Sequence, residues 1–132
     1  MPALLDTGAL ELLRRRDRRV EVLSLRYYPP LISPHVTGEF LYGQLHAGIS
    51  APALREVQAF LGSFEVLELT VATANAYAHL RSTLTAKGVT LPDPDYWIAA
   101  HASEERLPLI TTDRDFRHLT ELKVHYLLPG MD

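Results

Sequence analysis

The chain has 132 residues, 47% hydrophobic and 22% charged, with a formal net charge of −3. This is the balance of one globular domain, residues 1–132, long enough to bury a core. The absence of cysteine excludes disulfides, thiolate zinc sites and thiol catalysis. No apolar run reaches the roughly 18 residues of a membrane span, and no basic, apolar leader opens the chain, so a cytoplasmic protein with no membrane partner is expected.

"MPALLD" predicts a short buried strand that ends on Asp6. Residues 7–28 carry Leu10, Leu13, Val20 and Leu23 at helical intervals. Pro29 and Pro30 punctuate, and residues 31–33 form a second strand candidate. Helices are expected over 36–47, where Gly38 and Gly43 weaken the pattern, and over 53–61. Residues 64–69, "FEVLEL", alternate as a half-buried strand does. Thr70 is placed to cap a helix whose face carries Val71, Ala74, Tyr77, Leu80 and Leu84, and Gly88 ends it. In "LPDPDYWIAAHA", Asp93 and Pro94 read as N-cap and first helical residue of a helix reaching about residue 105. "LPLI" is a strand, "TDRDFRHL" a short helical turn, and "KVHYLL" a final strand. Strands alternating with helices predict an α/β domain with a mainly parallel sheet and helices on both faces.

In such folds functional groups collect outside the carboxyl ends of the strands. Asp6 and Asp113 fall there; Glu39 and Asp95 lie in helices. Each acid alone has a plain structural use. Asp6 can cap the first helix. Glu39 can be a solvated helical residue. Asp95 suits a helix dipole without being needed as a cap. Asp113 and Asp115 exceed what capping of one short turn requires. Together they point to convergence on a single cleft. An oxygen-rich cluster of that kind suits Mg²⁺ or Mn²⁺, since adjacent carboxylates repel one another unless a cation neutralises them.

Arg14, Arg15, Arg16, Arg18 and Arg19 form a local basic segment inside an acidic chain. It reads equally as a phosphate-binding patch and as a solvated helix end. Tyr27, Tyr42, Tyr96 and Trp97 offer faces for base stacking, with Trp97 expected in the core. The six histidines show no paired ligand spacing and are read as structural or surface residues.

The set "LLDTG", "GEFLYG", "LPDPDYWIAAHA" and "LITTDRDF" resembles the PIN domain, and more closely the VapC toxins of toxin–antitoxin pairs, over essentially the whole chain. The resemblance implies a Mg²⁺-dependent endoribonuclease with an α/β/α sheet, in which Mn²⁺ can also serve. It carries the family's acidic quartet onto Asp6, Glu39, Asp95 and Asp113, with Asp6, Asp95 and Asp113 as metal ligands or orienters of water. Glu39 falls to either ligation or proton abstraction. Thr7, Thr111 and Asp115 match auxiliary positions. Gly8 departs from the Asn or Ser usual after "LDT", which touches one hydrogen-bonding contact and leaves the carboxylates intact. RNA as substrate, a homodimer and a VapB-like antitoxin are implied as partners. Two other readings are an RNA-processing nuclease of the same fold with no antitoxin, and a silent binding module. Retention of all four acids speaks against the module.

Overall fold

The computed structural model describes residues 1–127. Its elements are β1 (Ala3–Leu5), α1 (Thr7–Arg14), α2 (Arg18–Arg26), β2 (Pro30–Ile32), α3 (Pro34–His46) and α4 (Ala51–Gly62). Then follow β3 (Glu65–Val66), α5 (Val71–Ala86), α6 (Asp93–Glu104), β4 (Leu109–Thr111), a short 3₁₀ helix over Arg114–His118, and β5 (Val124–Tyr126). The strands form one parallel sheet in the order β3-β2-β1-β4-β5, the helix-flanked α/β architecture that the sequence predicts.

Short strands suffice because the central ones are apolar on both faces. Ala3, Leu4, Leu5, Leu109 and Ile110 are all fully buried, as parallel strands between helix layers must be. The chain leaves β1 toward β2 and β3, then returns to place β4 and β5 on the other side of β1. That reversal makes the β1–β4 boundary the topological switch point, where the carboxyl ends splay and leave a crevice. Asp6 ends β1 on one side of it, and Asp113 follows β4 on the other.

Three local departures have physical causes. The helical segment over 7–28 is two helices, because Arg16 adopts φ 65° and Asp17 starts α2 by accepting from the Arg19 amide. α3 begins earlier than residue 36, since Ser33 caps it at the Val36 amide and Pro34 sits in its first turn, where a missing N–H costs nothing. β3 is only two residues long and exposed, as befits an edge strand. The last residue of "KVHYLL", Leu128, lies outside the described residues.

The start of α6 corrects the assignment of Asp93. The N-cap position is Pro92, and no side chain caps the helix. Asp93 is instead drawn outward: the Tyr77 hydroxyl donates to it at 2.5 Å and Arg81 at 2.9 Å. A charge-assisted pair of donors from α5 is a stronger claim on the carboxylate than a single backbone N–H. Tyr96 and Trp97 also exchange their expected roles. Tyr96 is buried and its hydroxyl accepts from the Leu91 amide. Trp97 is only partly buried, stacked between Tyr77 at 4.1 Å and His35 at 5.5 Å. Of the other rings offered for stacking, Tyr27 is buried and Tyr42 exposed.

Candidate metal centre

The carboxyl ends of β1 and β4 and the first turn of α6 bring the predicted acids together. Asp6, last residue before α1, is 5% exposed. Its Oδ1 accepts from the Ala9 amide at 2.8 Å, so it does cap α1. Its Oδ2 accepts a short hydrogen bond from the Thr111 hydroxyl, and the Thr111 oxygen in turn accepts from the Asp113 amide at 2.8 Å. Thr111 thereby fastens the end of β1 to the loop after β4. Asp113 caps the 3₁₀ turn by accepting from the Asp115 amide at 2.8 Å.

Asp95 lies in the first turn of α6 beside Asp113. Carboxylate oxygens of Asp95, Asp113 and Asp115 fall within 4.8 Å of one another. Among the described residues, none of these three acids, nor Asp6 or Glu39, forms an ion pair with Lys, Arg or His. The cost of this crowding appears in the acidities. Burial, then the charge of Asp113 and a hydrogen bond with its carboxyl, then Asp6 and Glu39, push Asp95 up to about 7. Burial raises Asp6 to about 6 against the opposing bonds from Thr111, Ala9 and Thr112, with Asp113 adding to the rise. A site that holds several acids this close without a counter-charge fits a hard divalent cation, whose preferred ligands are carboxylate oxygens and water.

Glu39 stands at the exposed lip. Its Oε1 accepts from the Thr7 hydroxyl at 2.9 Å, which ties α3 to the start of α1. Its charge reaches Asp95. The charges of Asp113, Asp6 and Glu39 thus all reach Asp95. Asp115, read as auxiliary, brings an oxygen close to those of Asp95 and Asp113, and Asp6 accepts from Ala9 and Thr111 while its charge also reaches Asp95. The signal for Asp115 was its spacing, since the second acid of "TDRD" is turned back toward the first by the tight 3₁₀ turn.

Gly8 is explained by its neighbour. A Cβ at position 8 would overlap the Thr112 hydroxyl oxygen, so Thr112 fills the space that a side chain after "LDT" would take.

The arginine segment lies elsewhere. α1 has eight residues, so its arginine end is about 12 Å along the helix from Asp6. Most of the segment is locally engaged: Arg15 with Glu11 at 3.6 Å, Arg16 with Glu21 at 3.0 Å, Arg19 with Asp17 at 3.4 Å. Arg14 packs over the Phe60 ring at 5.6 Å.

Known proteins resemble this chain in sequence and in fold. The PIN domain family model matches residues 3–122. Ribonuclease VapC4 of Mycobacterium tuberculosis is 30% identical over 95 residues, 70% of this chain and 73% of that protein. Among solved structures, DNA-bound VapBC from Salmonella typhimurium is 25% identical with a TM-score of 0.80, covering 96% of this chain and 98% of that one. VapBC-1 from nontypeable Haemophilus influenzae, 23% identical over the same shares, superimposes with a TM-score of 0.81 and so has the same fold.

Proposed function

The chain belongs to the PIN-domain family, and from that premise we propose that it is a divalent-metal-dependent endoribonuclease, the toxin of a VapBC-type toxin–antitoxin pair. The observation that carries this reading is the group of Asp95, Asp113 and Asp115 oxygens within 4.8 Å at the switch point of the sheet. The relationship to a ribonuclease over 70% of the chain supports RNA as the substrate. Relatives solved as VapBC complexes support a VapB-like antitoxin as partner. A homodimer and a cytoplasmic location are part of the same reading.

Asp95, Asp113 and Asp115, with Asp6 beside them, would hold Mg²⁺, or Mn²⁺ in its place. The ion supplies Lewis acidity toward a phosphate oxygen and lowers the pKa of coordinated water. Thr111 keeps Asp6 and the Asp113 loop in register, so the carboxylates stay fixed while charge develops on the phosphate. Glu39, exposed and held by the Thr7 hydroxyl, would take the proton from the attacking water.

No helix of the described residues is long and apolar enough to cross a membrane. Purified protein incubated with RNA in Mg²⁺ and in chelator tests the proposal. Cleavage in Mg²⁺ alone, lost in Asp95→Asn, is the expected result; cleavage undiminished by chelator would overturn it. A neighbouring short frame encoding a DNA-binding antitoxin is expected, and its absence would favour an RNA-processing nuclease of the same fold.

A further inference from the structure

Two stretches that carry no motif, "LRYY" at the end of α2 and "KVHY" on β5, meet around one buried ring. Tyr27 is 6% exposed. The Arg26 guanidinium carbon lies 5.5 Å from its centroid and the Lys123 ammonium 5.2 Å. The His125 ring packs on it with centroids 4.9 Å apart. Three basic groups thus share a single aromatic support. Neither Arg26 nor Lys123 forms an ion pair among the described residues, in contrast to Arg15, Arg16 and Arg19. Burial first, and then the charges of Lys123 and Arg26, hold the His125 imidazole below its ordinary value. The Tyr27 ring supports both cations, and their exposed charges remain available to an anion.

The place fits a polyanion. A groove of about 250 Å³ runs beside the cluster, lined by Arg19, Leu23, His125, Tyr126 and Leu127 among others, with no carboxylate in its wall among the described residues. Its upper end adjoins the acidic cleft: Tyr126 pairs with Thr111, and the Leu127 amide donates to the Thr111 carbonyl at 2.9 Å. Thr111 is the residue that secures Asp6 and Asp113. Lys123, just before β5, lies three residues back, about 10 Å from that junction. A nucleic-acid strand with one phosphate in the cleft would lay neighbouring phosphates along this edge of the sheet.

We infer that Arg26 and Lys123, seated on Tyr27 beside His125, bind backbone phosphates of the RNA strand flanking the scissile bond. The identity of the strand rests on the nuclease reading; the anion site rests on its own geometry. Contacts of this kind are sequence-independent and salt-sensitive, each neutralised phosphate of a single strand contributing about −0.7 to the slope of log K against log salt.

The test is binding of a fluorescein-labelled single-stranded oligoribonucleotide, read by anisotropy across a KCl series. Asp95→Asn protein in chelator is used, so that no cleavage occurs. Adding Arg26→Gln and Lys123→Gln should weaken binding about tenfold or more and flatten the slope by about 1.4, two contacts at 0.7 each. Arg26→Lys with Lys123→Arg keeps both charges and should keep the slope. Arg15→Gln with Arg16→Gln should leave it within a few tenths. An unchanged slope in the Gln pair, or no binding by the parent protein at any salt, overturns the inference. If wild-type protein cleaves RNA while the Gln pair keeps its slope, the groove fails and the nuclease stands. If the slope flattens but wild-type protein cleaves nothing, the nuclease fails and the groove stands.

Discussion

Asp93 and Asp95 are separated by one proline, yet they belong to opposite electrostatic regions. On the α5 side, Asp93 receives Tyr77 and Arg81, and the Tyr77 hydrogen bond leads the causes that hold its carboxyl below the ordinary value. On the sheet side, Asp95 faces Asp113, Asp6 and Glu39, and burial with these like charges lifts it to about 7. The same residue type in the same helical turn is satisfied in one direction and frustrated in the other. Position on the helix, more than local sequence, decides which acid the fold uses up and which it leaves for a ligand.

The sharpest way to break the comparison is to neutralise each acid. Asp95→Asn should reduce Mg²⁺-dependent RNA cleavage by more than about 100-fold, above the usual cost of losing a residue merely behind a ligand. Its melting temperature in chelator should not fall, because one member of a repelling set has been removed. A folded Asp95→Asn protein with full activity would remove Asp95 from the site.

Next in size is the effect of pH and metal on stability. Asp6 at about 6 and Asp95 at about 7 both stand above the unfolded value of 3.8. The folded protein therefore binds protons more tightly than the unfolded chain, and the resulting stabilisation is fully present below about pH 4 and lost as pH rises through 6 and 7. Without metal, melting temperature should fall by a few degrees between pH 5 and pH 8, less than full burial would give because Asp95 is partly solvated. Mg²⁺ should restore it at pH 8 and do little at pH 5. Scanning fluorimetry in chelator and in Mg²⁺ checks both signs, and Asp95→Asn should flatten the pH dependence.

Asp93→Asn should cost far less, at most about threefold in activity and a shift of a few degrees in melting. Its pair with Arg81 is exposed and weakly stabilising, and Asn still accepts from Tyr77. A loss of activity as large as that of Asp95→Asn would show that the outer corner serves the chemistry directly. Smallest of all, Arg15→Gln with Arg16→Gln should change cleavage less than about twofold, since both arginines are spent on Glu11 and Glu21 at the far end of α1.

Much of this was readable before any coordinates. Asp6 and Asp113 end short apolar runs, and an acid at that point of an α/β chain has few other uses. Asp95 stood out because Asp93 and Pro94 already supplied a helix start, though the reason proved different: Asp93 caps nothing and serves Tyr77 and Arg81. The break at Arg16 was hidden because apolar spacing continues across it; only the backbone turn and the Asp17 cap mark it. Tyr96 and Trp97 were exchanged since their run is apolar almost all round, and hydropathy cannot set the rotation of such a helix. Tyr27 was legible only as a stacking face, because Lys123 and His125, which pack on it, are distant in sequence.

The contact between Gly8 and Thr112 has a hereditary consequence. Position 8 is barred to any side chain while Thr112 keeps its hydroxyl where it is, and that threonine immediately precedes Asp113. A serine or asparagine arriving at position 8 alone would push on the loop that carries the metal-site acids. A change at position 8 therefore asks Thr112 to move its side chain first, whereas a smaller residue at position 112 meets no such barrier while Gly8 remains.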